Sequence, residues 1–232
     1  MEFLDQYLWL NQLKMCGRFV SIAKKNKIKK IFNVKKENNF SEESYNISPS
    51  KKINVLYYKD GELILDSLKW GYSFFSKFNK KNQLVINSRL ETINSKLIFK
   101  DSYLKRKCII IANGYFEWKR VNEKKQPYFI NIPEQELFYF AGIWRSENFN
   151  DKKQTVCCII TKNANKKIER IHNRMPVIFS LNEALTYLED KSNNYISSLL
   201  ESEIEKELNF YKISNKINNP KNNYKECLNP IN

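Results

Sequence analysis

Residues 53–58, Ile-Asn-Val-Leu-Tyr-Tyr, and 63–70, Leu-Ile-Leu-Asp-Ser-Leu-Lys-Trp, flank the short run Lys59-Asp60-Gly61. Both flanks favour extended backbone, and Asp-Gly between such runs signals a tight β-hairpin. Working outward, similar strand-like runs occur at 17–22, 84–88, 108–112, 128–132, 137–143, 155–161, 177–179 and 210–213. Helical patterns fit 22–32, 92–103, 181–188 and 195–208. Strands outnumber helices and seldom alternate with them, which argues against a doubly wound sheet. The expectation is a single β-rich α+β domain. The Tyr45-Asn46-Ile47-Ser48-Pro49-Ser50 stretch reads as a turn. The Asn/Lys-rich residues 215–232 read as a flexible tail.

The chain has 232 residues, 42% hydrophobic and 14% aromatic, enough for a real core, and no apolar run approaches a membrane span of about 20 residues. The formal charge of +15 favours a polyanionic partner. Abundant Lys, Asn, Ile and Phe are also what AT-rich coding produces. Five cysteines lack zinc-type spacing, and Cys157-Cys158 sit in an apolar run, so Cys108, Cys157 and Cys158 read as core residues in a reducing compartment. Residues 1–14 do not resemble a signal peptide, and a cytoplasmic location is expected. They form either an amphipathic turn or two or an upstream start that translation does not use. Met15-Cys16 is itself a competent start, which favours the second.

Removal of Met15 would leave Cys16 with a free α-amine and a thiol two carbons apart. The amine can condense with an aldehyde, and the thiol can close a thiazolidine intramolecularly. Four further stretches carry side chains suited to such a cysteine. In Ile86-Asn87-Ser88-Arg89-Leu90-Glu91-Thr92, a strand would project Asn87, Arg89 and Glu91 to one face. That face is either an ordinary solvent face with an Arg–Glu pair or a pocket with a phosphate-gripping arginine. Glu117, between Phe116 and Trp118, is a candidate proton shuttle if its surroundings raise its pKa; otherwise it is a strand-end glutamate in solvent. Thr161 ends an apolar run and either offers its hydroxyl to a ligand or caps a turn. His172, the only histidine, is either a structural or exposed ring or, two residues before Arg174, an acid beside a phosphate clamp.

Together these stretches resemble the SOS-response-associated peptidase (SRAP) family, which senses abasic sites in DNA. The motifs run in the family's order: Met-Cys-Gly-Arg-Phe at 15–19, Tyr-Asn-Ile-x-Pro at 45–49, Lys-Trp-Gly at 69–71 and Asn-x-Arg-x-Glu-Thr at 87–92. They continue with Gly-Tyr-Phe-Glu-Trp at 114–118, Phe-Ala-Gly-Ile-Trp at 140–144 and Ile-His-x-Arg-Met-Pro at 171–176. The resemblance implies a β-rich domain over residues 15–214 with mixed sheets around a barrel-like core and peripheral helices. It implies a thiazolidine between Cys16 and an abasic site in single-stranded DNA, with Glu117 moving protons and His172 assisting sugar-ring opening. Asn87 and Arg89 would hold the cysteine and the lesion, Thr161 would line the pocket, and Arg174 would join Arg89 on phosphates. It also implies autopeptidase activity, no cofactor and no metal, and a monomer.

Trp70 and Phe74 or Phe75 are candidates for base stacking, with core burial as the alternative. Two departures stand out: the extension before Met15, and Tyr72-Ser73-Phe74-Phe75 where the family commonly has a proline and a tryptophan. A thiol peptidase using Cys16 and His172, and a non-catalytic basic nucleic-acid-binding module, are the competing readings.

Overall fold

A computed structural model of the chain describes residues 16–76, 80–133, 135–149, 151–198 and 202–232. The first part comprises β1 (Phe19–Ser21), α1 (Lys25–Ile31), β2 (Lys36–Glu37), β3 (Ser44–Ile47), β4 (Lys52–Lys59) and β5 (Glu62–Trp70). Next come β6 (Tyr72–Ser76), β7 (Lys81–Val85), β8 (Asn87–Arg89), α2 (Leu97–Lys105), β9 (Lys107–Ala112), β10 (Gly114–Val121) and β11 (Lys124–Asn131). The last part holds β12 (Phe138–Phe149), β13 (Lys152–Asn163), β14 (Arg174–Pro176), β15 (Ile178–Phe179), α3 (Leu181–Glu189), α4 (Tyr195–Ser198) and β16 (Asn209–Lys212).

The expected Asp-Gly hairpin joins β4 to β5, with Lys59 opposite Glu62. Asp60 and Gly61 both have positive φ, 53° and 81°, as a two-residue type I′ turn requires. In the larger sheet β13, β12, β9, β4 and β5 are neighbours in that order. Parallel pairing of Val156 with Lys69 and of Cys157 with Trp70 then brings β13 back to β5 and closes a five-strand barrel. Side chains alternate along these strands. Ile109 and Ile111 join the core beneath α2 and α3, while Cys108 and Ile110 join the one shared with the second sheet.

That second sheet has the order β16-β11-β10-β1-β3 and packs Phe19, Tyr115 and Ile130 onto the barrel. At Gly114 an added Cβ would lie 2.2 Å from the Phe129 ring, so the close approach of β10 to β11 requires glycine. The expected β-rich α+β class with a barrel-like core and peripheral helices is therefore found.

Several local readings change. Residues 45–47 form part of β3, because pairing with β1 overrides the turn preference of Asn46 and Ser48. The helix expected over 92–103 starts at Leu97, after a 3-10 turn at Leu90–Thr92. The helix expected over 195–208 is α4 followed by a 3-10 turn at Glu203–Glu207. Residues 215–232, read as a flexible tail, carry two 3-10 turns and bury Ile217 and Cys227. The Asn46 side chain donates to the carbonyls of Ile217, Asn219 and Asn222, and Arg18 donates to those of Ile217 and Asn218. The readings of residues 1–14 and of Met15 lie outside the described residues. Among the described residues no helix is long and apolar enough to cross a membrane.

Candidate active site

Antiparallel pairing of β1 with β10 sets Phe19 against Tyr115, and the Phe116 N–H donates to Arg18 O. Continuing that ladder toward the chain start lays Cys16 beside Glu117. Glu117 Oε1 accepts two hydrogen bonds from one residue, from Cys16 N–H at 2.8 Å and from Cys16 Sγ at 2.9 Å. Cys16 is 3% exposed and Glu117 1%. Cys16 has φ +43°, a left-handed conformation uncommon for a non-glycine residue.

Burial raises the Glu117 carboxyl above its ordinary value; attraction to His172 and the hydrogen bonds from Cys16 oppose but do not cancel this. Burial, and then the charge of Glu117, push the Cys16 thiol well up, with Arg174 acting weakly the other way. The resting pair is thus a neutral thiol against a carboxyl poised to exchange protons.

The opposite wall comes from the barrel. β8 runs parallel to β13, with Asn87 against Ile159 and Arg89 against Thr161. Ile86, just before β8, reaches toward Gly17, 3.9 Å from where a Cβ there would stand, so this wall adjoins the cysteine segment. Asn87 is buried, Arg89 is partly buried with its Nε unbonded, and the Thr161 hydroxyl donates to Ser88 O at 3.2 Å. β14 pairs with the end of β13, Arg174 against Asn163. The loop between them makes a 3-10 turn at Ile168–Arg170 and brings His172 to the site. His172 Nδ1 accepts the Arg174 backbone N–H at 3.1 Å, so the neutral ring carries its proton on Nε2. Beside this wall a groove of about 710 Å³ is lined by Lys162, Asn163, Ala164, Asn165, Lys166, Lys167, Glu205 and Lys206.

Cys16 and Glu117 are therefore in contact, His172 and Arg174 act on them electrostatically, and Asn87, Arg89 and Thr161 lie on the adjoining strands. The two stacking candidates stand apart. Trp70 is fully buried against Phe19 and donates from Nε1 to Ile86 O, leaving no face for a base. It is a core residue because β5 turns it inward at the barrel seam. Phe74 lies on the β6–β7 hairpin, partly buried against the core, and its neighbour Phe75 is 56% exposed.

Glu91 and Asn163 are the residues whose importance the sequence understated. Glu91 does not pair with Arg89; its carboxylate binds Arg174, 83 positions away. Among the described residues no three His, Cys, Asp or Glu side chains gather as metal ligands would.

The fold is thus a β-barrel domain with a buried cysteine–carboxyl pair at the head of its second sheet. The chain belongs to the family described as SOS response associated peptidase (SRAP), which it matches over residues 15–220. It is 33% identical to the abasic site processing protein YoqW of Bacillus subtilis, over 92% of this chain and 99% of that one. It is 28% identical to the abasic site processing protein YedK of Escherichia coli, over 81% of this chain and 84% of the other. A crystal structure of a protein from Bacteroides thetaiotaomicron shares the fold, with TM-score 0.79 and 23% identity, covering 93% of this chain and all of that one.

Proposed function

We propose that this protein processes abasic sites in single-stranded DNA by covalent capture through Cys16, shielding the lesion as a thiazolidine. The observation that carries this reading is the single Glu117 oxygen that accepts from both the nitrogen and the sulfur of Cys16. These are the two atoms that must lose protons in the reaction, and one carboxyl reaches both. Relatives named for abasic site processing, aligned over most of their length, support the substrate.

In the full chain the Cys16 nitrogen belongs to a peptide bond. Hydrolysis of the Met15–Cys16 bond, by the protein itself or after translation from Met15, frees it as an amine. The ring-opened sugar offers an aldehyde. The amine adds to it and water leaves, giving an imine; the thiol then adds across the C=N bond, its sulfur to carbon and its proton by way of Glu117 to nitrogen. A carboxyl with a raised pKa suits both transfers. His172, carrying its proton on Nε2, donates to the sugar ring oxygen during opening. Asn87, Arg89 and Thr161 line the lesion, and Arg89 faces phosphate; Arg174, expected beside it, is buried with its Nη groups bound to Glu91, Asn163 and Thr161 O and is not free for one. Lys166, Lys167 and Lys206 around the groove add cationic surface for the strand. The protein would work as a monomer in the cytoplasm, on DNA.

The site argues against an ordinary thiol peptidase, which would need a ready thiolate. Here the sulfur is hydrogen-bonded to a carboxyl and its pKa is driven up. The test uses protein beginning at Cys16 and an oligonucleotide with one abasic site. A heat-stable adduct should form, vanish with Cys16→Ala, and vanish when the α-amine alone is blocked. Survival after amine blocking would favour thiol chemistry without the amine, and an adduct from Cys16→Ala would refute the assignment.

A further inference from the structure

Glu91 begins the 3-10 turn after β8, and its two carboxylate oxygens accept from Arg174 Nη1 at 2.6 Å and Nη2 at 2.9 Å. The remaining Nη protons go to Asn163 Oδ1 at 2.7 Å and to Thr161 O at 2.8 Å. Arg174 is buried, so a guanidinium held by three partners has no room to swing. Its backbone N–H is the group that binds His172 Nδ1. The Glu91 carboxylate is thus one residue removed, through Arg174, from the atom that sets the imidazole's tautomer.

We propose that Glu91 is a positioning residue for capture: by locking Arg174 it fixes the turn that presents the Nε2–H of His172. This rests on the reading of Cys16 given above. Glu91 touches no reacting atom. Its side chain is 43% exposed, and solvent-facing ion pairs add little to stability, so its effect belongs to geometry. Asn163, on the same guanidinium, supports the lock from β13.

His172 is the only histidine in the chain, so its ring gives the only imidazole signals in a long-range proton–nitrogen spectrum. In alkaline buffer the wild type should show one tautomer with the proton on Nε2. Glu91→Ala should give a mixed-tautomer spectrum. It should also slow single-turnover capture of abasic single-stranded DNA on the order of 10–100-fold, the scale of a misplacement of about 1 Å. Glu91→Gln keeps one carbonyl oxygen for Arg174 and should fall between. A wild-type spectrum with the proton on Nδ1 overturns the proposal. So does Glu91→Ala with an unchanged tautomer, whatever its rate, since a purely structural role would leave the tautomer alone. If Glu91→Ala does not fold, Glu91→Gln decides by the same two readouts. A wild type that captures nothing would sink the functional reading while the spectrum still judged the lock.

Discussion

Glu117 on β10 and Glu91 just after β8 are held in opposite ways. Glu117 is buried with a thiol and an N–H and, among the described residues, makes no salt bridge, and burial raises its pKa. For Glu91 burial is the largest single influence and acts in the same direction, but the hydrogen bonds and charge of Arg174 together with backbone hydrogen bonds outweigh it, and its pKa falls. The contrast teaches that residue type did not assign the roles. A carboxyl kept from water and from a cation can carry protons, whereas one clasped by a guanidinium can only hold position.

The sharpest way to break this comparison is Glu117→Gln, which keeps shape and removes the proton carrier. Capture should slow by about 10²–10⁴-fold in a single-turnover adduct assay, with DNA affinity nearly unchanged. A loss no larger than that of Glu91→Gln would erase the distinction.

Acid–base stability separates the two next. A carboxyl raised by folding stabilises fully below its unfolded value of about 4.3 and loses that contribution as pH rises through its folded value. One lowered by folding contributes above about 4.3 and loses it as pH falls through its folded value. The Tm of Glu117→Gln should therefore gain on wild type as pH rises above about 4.3, and that of Glu91→Gln should approach wild type as pH falls below it. Each kcal/mol corresponds to about 2–4 °C at this chain length. Parallel trends in the two variants would contradict the opposite shifts.

A smaller effect concerns the thiol. After burial, Glu117 is the next cause raising Cys16, so Glu117→Gln should move the pH profile of Cys16 alkylation downward, and Glu91→Gln should not. Smallest of all is salt. In about 1 M NaCl, where the screening length is about 3 Å, the stability gap between wild type and Glu91→Gln should narrow by less than about 1 kcal/mol, and the gap for Glu117→Gln should stay.

Much of the barrel was legible because its strands carry their own signals. The Asp60-Gly61 turn, the apolar runs of β9 and β13, and the helical pattern over 181–188 are local features; the capping box of Ser180 and Glu183 that starts α3 was not read from the sequence. Other parts were misread for want of neighbours. Trp70 looks the same in sequence whether it meets a base or Phe19. Asn-rich residues 215–232 resemble a solvated tail until Asn46 and Arg18 are there to bind their carbonyls. Arg89 is the obvious partner for Glu91 by alternation, but the turn after β8 ends the alternation and hands Glu91 to Arg174.

By itself the sequence determined which segments extend, which motifs the chain carries, and which side chains have the chemistry to react. Those properties depend on residues within a few positions of one another. Only the tertiary structure decided that Cys16 meets Glu117 across 101 positions, that Trp70 is walled in, and that Glu91 clasps Arg174. Each depends on how β8 and β13, or β1 and β10, come side by side, and such pairings are set by the packing of the closed barrel and its second sheet rather than by local pattern.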